Sequence, residues 1–248
     1  MIGKYLLRFG VLGYLALILL APLGLVAYRT FEHGWAPFWH AISTPEAVHA
    51  QKLTLEIAVV AVPLNTVFGV LCGIAIVRHR FPGMGLVNAL VDLPLALSPV
   101  VVGLALFLLY GRGGWFDGLP FDVLFAYPSM LLATIFVSLP FVVREVVPVL
   151  REIGTDQEEA AATLGASVLQ TFRKVTLPAI RWAVAYGVVL TTARAIGEFG
   201  AVSVVSGKIQ GRTETLPLYV QAQFEQFDVQ GAYAASVVLA LIAIATVV

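Results

Sequence analysis

Six apolar stretches, each close to the length of a membrane span, constrain this chain more than any other feature. A helix needs about 20 apolar residues to cross the hydrocarbon core of a bilayer. The chain is 59% hydrophobic and 12% charged, with a mean hydropathy of +0.91, whereas a soluble domain is about 45–50% apolar and about a quarter charged. The stretches cover residues 9–27, 53–77, 86–109, 124–147, 182–205 and 233–248. The sequence therefore predicts an all-α polytopic membrane protein with six transmembrane helices, forming one domain over residues 1–248.

The positions of lysine and arginine predict which side faces the cytoplasm, because cytoplasmic loops carry an excess of these residues. Nine of them fall on one side, namely Lys4, Arg8, Arg78, Arg80, Arg144, Arg151, Arg173, Lys174 and Arg181. Five fall on the other, namely Arg29, Lys52, Arg112, Lys208 and Arg212. This bias predicts a cytoplasmic N-terminus. The formal net charge is zero and no basic run occurs, so nothing indicates a nucleic-acid partner.

A polar segment at residues 150–181 separates two of the apolar stretches and carries helix-capping residues. Thr155 followed by Glu158 has the spacing of a capping box, in which each side chain accepts a hydrogen bond from the other residue's backbone N–H. Gly165 is expected to take the left-handed conformation that ends this helix after Leu164. The pattern predicts a short helix that ends in a glycine turn on the cytoplasmic side.

A second short helix is predicted in the same segment. Ser167 and Gln170 have the spacing of another capping box. Pro178 is expected to push Leu177 out of the helical region, while suiting the first turn of the following helix. The segment should therefore run helix, glycine turn, helix, proline turn and membrane span, which is a docking surface built into a membrane protein.

This segment resembles the cytoplasmic motif of binding-protein-dependent ABC importer permeases, which reads Glu-Ala-Ala, three residues, Gly, nine residues and then Ile-x-Leu-Pro. The matching residues are Glu159, Ala160, Ala161, Gly165, Leu177 and Pro178, with Val175 in place of the Ile. The resemblance implies that these residues dock a cytoplasmic ATPase. The residues alone also fit an amphipathic loop that lies on the membrane surface.

Two ionisable residues in the fifth apolar stretch are candidates for function, because charges at membrane depth are costly and rare. Arg194 and Glu198 are four residues apart and share one helix face. They form either an internal salt bridge, or an anion path on which Arg194 attracts the solute and Glu198 limits how strongly it is held. Small residues in 197–201 and 232–235 permit close helix approach, and we expect these faces to pack against a second subunit.

The third apolar stretch carries Asp92 and Ser98 together with two prolines, Pro94 and Pro99. Prolines free backbone groups, which in a membrane need neighbouring protein or a wet cavity. This pattern predicts one kinked span near the centre of the bundle, where Asp92 and Ser98 line the path of the solute. A kinked helix with only a packing role explains the same residues nearly as well.

The residues give no support to metal or cofactor chemistry in this chain. Cys72 is the only cysteine, and the four histidines lack metal-binding spacing. No nucleophile and base pair suggests an intramembrane enzyme, and no Gly-x-x-x-x-Gly-Lys-Ser/Thr motif for ATP occurs. We therefore expect a transport subunit rather than an enzyme. By resemblance, ATP and Mg²⁺ belong to partner ATPase subunits.

The resemblance extends over most of the chain. Residues 78–83 and 91–103 are similar to the sulfate and molybdate branch of these permeases. Residues 141–148 and 194–207 are similar, more closely still, to the W-type subunits of sulfate/thiosulfate importers. This implies a type I ABC importer permease fold with a coupling-helix insert, in the bacterial inner membrane. The implied partners are a homologous second permease, two ATPase subunits and an extracytoplasmic sulfate-binding protein.

Two rival functions stay open at this point. A molybdate or tungstate permease would share the fold and the insert, and permeases of that type pair with themselves. A proton-coupled secondary anion transporter would use Arg194 and Glu198 as a proton relay, but such a protein has no reason to carry a docking insert. Competition between oxyanions distinguishes the first rival, and an uncoupler distinguishes the second.

Overall fold

The computed structural model describes residues 2–79 and 82–247, with the side chains of residues 7–79 and 82–246. Arg80, Phe81, Val248 and the side chain of Lys4 enter the sequence predictions but lie outside the described residues. In chain order the α-helices are α1 (Ile2–Leu15), α2 (Ala21–Phe31), α3 (Trp35–Ile42), α4 (Pro45–Arg78), α5 (Met84–Ala96), α6 (Pro99–Tyr110), α7 (Tyr127–Ser138), α8 (Pro140–Ile153), α9 (Asp156–Thr163), α10 (Val168–Thr171), α11 (Leu177–Ile196), α12 (Gly200–Val205), α13 (Leu216–Glu225) and α14 (Val229–Val247). Two π-helical turns, Ala16–Leu20 and Phe172–Thr176, join α1 to α2 and α10 to α11.

Helices of membrane-spanning length and composition account for five of the six predicted spans. These helical stretches are Leu7–Phe31, Pro45–Arg78, Tyr127–Ile153, Val168–Val205 and Val229–Thr246. A sixth span is obtained only if α5 and α6 are counted together, and these two helices are bent by 111°. The all-α prediction is confirmed, whereas the prediction of one kinked helix for the third stretch is wrong.

Pro99 explains the break between α5 and α6. The pyrrolidine ring disfavours the helical region for the preceding residue, and Ser98 accordingly has φ −63° and ψ 135°. Leu97 is also extended, with φ −89° and ψ 143°. Pro94, by contrast, lies inside α5 without ending it. Only the second proline breaks the span.

Glycines let α4 and α11 approach α8 closely. A Cβ atom on Gly69 would lie 2.6 Å from Val142 Cβ, and a Cβ atom on Gly187 would lie 2.9 Å from Val142 Cα. Either side chain would collide with α8. In lipid, close van der Waals contact of this kind is what holds helices together. The packed face of α8 continues through Val146 and Leu150, which are fully buried.

The small residues that were expected to face a second subunit pack inside this chain instead. A Cβ atom on Gly103 of α6 would lie 2.6 Å from the carbonyl oxygen of Ala201 in α12. Ala201 is fully buried, and the alanines of 232–235 are at most 5% exposed. The prediction of a subunit interface is therefore wrong for Ala201 and for the alanines of 232–235, whereas Gly197 is exposed and the prediction for it stays a prediction. The break in the third stretch folds α6 against α12 and covers Ala201.

Candidate functional site

The first insert helix, α9, does not begin with the predicted capping box. Thr155 makes no capping bond, and its Oγ1 donates to Glu159 Oε1 at 2.7 Å instead. Glu158 cannot reach back to the cap, because its two carboxylate oxygens accept from Arg78 and Thr176. The helix starts where the sequence predicts, but for a different reason, since the negative first turn suits the helix dipole.

Gly165 ends α9 with the predicted left-handed turn. Its φ is +84°. The N–H of Ala166 donates to Ala161 O at 3.0 Å, and the N–H of Gly165 donates to Ala162 O at 3.0 Å. These two bonds form a Schellman motif, which satisfies carbonyls that the helix end would leave free. The insert therefore reverses direction at a fixed angle.

The second insert helix begins with the predicted capping box but does not end in the predicted turn. Ser167 N–H donates to Gln170 Oε1 at 2.8 Å, and Gln170 N–H donates to Ser167 Oγ at 3.4 Å. Leu177 is helical, with φ −62° and ψ −44°, so α10 runs through the π-helical turn into α11. The predicted turn before Pro178 is wrong. The π-helical turn is wider than an α-helical turn, so it leaves room for the proline ring. Proline has no backbone N–H, so no donor is left unpaired at this position.

The tip of the insert exposes apolar side chains, of which Val168 belongs to an apolar stripe that the sequence of the second short helix shows. Leu164 is 89% exposed and Val168 is 88% exposed, on either side of the glycine turn. Of the residues predicted to dock an ATPase, Gly165 is exposed at this tip, Glu159 and Ala160 are exposed along α9, and Ala161 is half-buried. Leu177 and Pro178 are exposed at the base, in the first turn of α11.

Arg78, at the end of α4, holds the base of the insert. Its Nε donates to Glu158 Oε2 at 2.9 Å. Its Nη1 donates to Leu150 O at 3.0 Å, and its Nη2 donates to Gly154 O at 2.7 Å. In the sequence, Arg78 contributes to the charge bias that predicts orientation and to the resemblance of residues 78–83, but not to a predicted site. Its partner in the insert lies 80 residues away, and no local spacing indicates such a contact.

Arg194 and Glu198 form an ion pair in the structure. Arg194 Nη1 lies 2.6 Å from Glu198 Oε2, with side-chain exposures of 28% and 2%. The other carboxylate oxygen, Oε1, accepts from the N–H of Ala201 at 2.7 Å. Glu198 therefore neutralises Arg194 and also caps the start of α12, while the arginine keeps part of its surface free.

The breaks in the third and fifth stretches face each other. Helix α11 ends at Ile196 and α12 begins at Gly200. A Cβ atom on Gly200 would lie 2.8 Å from Pro99 Cβ, so the first turns of α6 and α12 are in contact. Ser98 is exposed at this junction and makes no capping bond. The structure thus brings Ser98 near the break between α11 and α12, which contains Glu198.

Asp92 pairs with a residue that the sequence analysis assigned only to the cytoplasmic side. Arg144 Nε donates to Asp92 Oδ1 at 2.9 Å, and this pair links α5 to α8. Both side chains are about half exposed, and they line a groove of about 380 Å³ together with Asn88 and Arg151. Asp92 is therefore accessible, but it belongs to a different pair from Arg194.

Glu214, in the loop between α12 and α13, is a buried carboxyl group that the sequence analysis missed. The residue is 4% exposed, and its Oε2 accepts no hydrogen bond from the described part of the chain. Burial raises the pKa of this carboxyl group above its ordinary value of 4.5. Lys208 and Glu225 lie around the same pocket of about 220 Å³.

Solved structures share this fold. The crystal structure of a bacterial ABC transporter involved in the import of the acidic polysaccharide alginate matches with a TM-score of 0.81 at 17% identity, covering 98% of this chain and 92% of that one. The same kind of transporter in complex with an alginate-bound periplasmic protein matches with a TM-score of 0.80. At this identity the likeness establishes the importer permease fold alone.

Sequence relatives are much closer. The chain is 50% identical to the sulfate transport system permease protein CysW of Synechocystis sp., covering 99% of this chain and 90% of that protein. It is 49% identical to CysW of Escherichia coli (93% and 81% covered) and 43% identical to CysT of Salmonella typhimurium (92% and 84% covered). Residues 65–248 match the family described as binding-protein-dependent transport system inner membrane component. The chain therefore belongs to this family of importer permeases, and it is a transport subunit rather than an enzyme.

Proposed function

We propose that this chain is a membrane subunit of an ATP-driven importer for sulfate and thiosulfate. The substrate is supported by the 50% identity with CysW over almost the whole chain. The observation that carries the mechanism is the rigid, exposed insert, whose tip carries Leu164 and Val168 and whose base is held by Arg78. The likeness to sulfate permeases favours sulfate over molybdate or tungstate.

The insert is the docking surface for an ATPase in this proposal. Burial of a leucine or valine side chain contributes about 1.5–3 kcal/mol, so a partner that covers Leu164 and Val168 gains a substantial apolar contact. Glu159 is exposed on α9, and its carboxylate, which accepts from Thr155, can also pair with a cation on the partner. ATP and Mg²⁺ bind to the ATPase subunits, because this chain has no phosphate-binding loop.

The chain acts as a single permease domain over residues 1–248, with the docking insert at 150–181. In the bacterial inner membrane its N-terminus and insert face the cytoplasm. A homologous second permease completes the pathway, which is supported by the likeness to both CysW and CysT. Two ATPase subunits dock on the two inserts, and an extracytoplasmic sulfate-binding protein delivers the anion.

The anion path runs beside the junction of the two broken spans. Backbone that is not helical is tolerated at membrane depth only where protein or a wet cavity satisfies it, and Ser98 is exposed at such a break. Arg194, partly offset by Glu198, offers the weak attraction that lets an anion enter and leave. Asp92 offsets Arg144 in the same way in the groove between α5 and α8.

The test is assembly followed by transport. The chain is co-expressed with a tagged ATPase, the homologous permease and the binding protein, and the purified complex is reconstituted into vesicles loaded with ATP. We expect sulfate uptake that thiosulfate competes with and that an uncoupler leaves intact. Uptake of molybdate but not sulfate, or transport by a homodimer of this chain, would refute the substrate and partner assignments.

A further inference from the structure

One guanidinium group joins the insert to the ends of two spans. Arg78 is the last residue of α4, and it makes hydrogen bonds with Glu158 of α9 and with the carbonyl oxygens of Leu150 and Gly154 at the end of α8. The Arg78 side chain is only 10% exposed and the Glu158 side chain 20%. The planar donor fork of arginine fits several acceptors at once, which a lysine ammonium does not.

The carbonyl oxygens that Arg78 binds belong to a helix end. The last four carbonyls of a helix have no intrahelical partner, and a cation is favoured there by the helix dipole. Arg78 therefore caps α8 from a neighbouring helix. The chain that leaves α8 passes through Gly154, whose φ is +65° and which has no neighbour within 4 Å of a Cβ position. Without Arg78, the chain would be free to bend at Gly154.

Glu158 extends the connection to the next span. Its Oε1 accepts from Thr176 Oγ1 at 2.7 Å. Thr176 is 5% exposed and ends the π-helical turn that leads into α11. One carboxylate thus binds both Arg78, at the end of α4, and Thr176, at the entry to α11.

Helix α4 can carry a movement from this point into the bundle. Asn65 of α4 is 1% exposed, and its Nδ2 donates to Ser138 Oγ at 2.9 Å and to Ile135 O at 3.0 Å. These bonds lie beside the junction of α7 and α8. Gly69, one turn further on, packs tightly on Val142. A displacement of the Arg78 end of α4 therefore moves α7 and α8 by nearly the same amount.

We propose that Arg78 is a positioning residue that makes α9, α4, α8 and α11 move as one body. Movement of the insert then displaces three spans together rather than bending the chain at Gly154. The proposal rests on the proposed function, because the insert is driven only if an ATPase docks on it. A purely structural role would affect how much folded protein accumulates, but not how many anions move per ATP.

The experiment measures sulfate transported per ATP hydrolysed by the complete reconstituted importer. For Arg78→Gln we expect ATP hydrolysis and ATPase co-purification to persist, while most of the sulfate transported per ATP is lost. Arg78→Lys keeps the charge but not the fork, so an intermediate ratio is expected. Lys52→Gln is the control, because Lys52 forms an exposed pair with Glu56 at 3.7 Å, and its ratio should equal that of the wild type.

A double mutant sharpens the result. Because Arg78 and Glu158 share one contact in the same connection, the loss in the Arg78→Gln, Glu158→Gln double variant should be smaller than the two single losses combined. An unchanged ratio in the Arg78→Gln importer would overturn the proposal, and so would additive losses. If Arg78→Gln does not accumulate, the nearly isosteric variants Thr176→Val and Glu158→Gln test the proposal instead. The measurement is again the sulfate transported per ATP hydrolysed. Failure of the wild-type chain to bind any ATPase is a different result, and it would contradict the proposed function itself.

Discussion

The base of the insert and the middle of the bundle each hold one arginine–glutamate pair, and the two pairs are built differently. Arg78 and Glu158 are 80 residues apart, and their contact joins separate helices. Arg194 and Glu198 are four residues apart, and their contact shapes the break between α11 and α12. The first pair fixes how elements are arranged, whereas the second fixes one local bend.

Burial distinguishes the pairs further. At the base of the insert both partners are largely covered, at 10% and 20% exposure. In the bundle the carboxylate is covered at 2%, but the arginine is 28% exposed. An arginine that is neutralised on one side and open on the other can still attract an anion. The comparison therefore predicts that losing the first pair uncouples the importer, while losing the second affects both folding and uptake.

Arg194→Ala should have the largest effect. Removing one partner of a buried ion pair typically costs about 3–5 kcal/mol, because a charge is left uncompensated. Glu198 would retain only its bond from the Ala201 N–H. We expect a strong loss of folded protein in the membrane, measured by detergent-resistant accumulation and thermal unfolding.

The double variant Arg194→Ala with Glu198→Gln separates the two roles of the arginine. Removing the buried charge should restore accumulation. If Arg194 also serves the anion path, sulfate uptake stays low in this folded double variant. Restored uptake would leave the pair with a structural role only, and normal accumulation of Arg194→Ala alone would contradict the burial argument.

Gly165→Val tests the insert without touching the ion pairs. A left-handed conformation costs a residue with a side chain about 1–2 kcal/mol, and no atom within 4 Å would clash with the added Cβ. We expect the subunit to reach the membrane but to lose coupling of ATP hydrolysis to uptake. Gly83→Val is a matched control, since Gly83 has the left-handed values φ +93° and ψ 2° and its surroundings are equally open. Normal coupled transport in Gly165→Val would remove the docking assignment.

Asp92→Asn tests whether the exposed Asp92–Arg144 pair contributes to stability and transport as the two more buried arginine–glutamate pairs do. Because both side chains are about half exposed, the unfolding free energy should change by less than about 1 kcal/mol. Arg144 would then hold an anion with less competition, so we expect a lower apparent KM for sulfate and slower turnover. Unchanged transport kinetics would exclude Asp92 from the pathway.

Glu214→Gln should have the smallest effect, and one that depends on pH. Burial raises the pKa of this carboxyl group in the folded state, so the folded state binds its proton more tightly than the unfolded chain. Wild-type stability is then highest below the unfolded pKa of about 4.5 and falls as pH rises toward the folded pKa. Thermal unfolding should show the variant equal to the wild type at low pH and more stable at neutral pH. The opposite order would indicate a cationic partner for Glu214.

Local features of the insert were predictable because their causes are local. The left-handed turn at Gly165 and the capping box of Ser167 with Gln170 depend on residues within one or two turns of each other. The capping box at Thr155 failed because distant Arg78 competes for Glu158. In the same way, Pro178 failed to stop a helix because a π-helical turn accommodates it. Sequence spacing does not reveal either competitor.

For the membrane-spanning part of the chain, the sequence predicted the positions of the spans better than the contacts between them. The apolar stretches and the Arg194–Glu198 pair follow from composition and helical periodicity. The small residues at 197–201 were assigned to a second subunit, because close approach within a chain and between chains needs the same residue types. Only the sharp break before Pro99, which folds α6 onto α12, decides between them.

The π-helical turn at Phe172–Thr176 absorbs one residue without turning the face that the insert presents. An α-helix advances about 100° per residue, whereas a π-helical turn holds one extra residue within a single wider turn. Deleting one residue here would let α10 and α11 become one regular helix, and Val168 would keep nearly the same direction around the axis of α11. A deletion in the α-helical turns on either side would instead rotate Val168 by about 100°, so this turn is the place where the length of the insert can change while its docking face stays where it is.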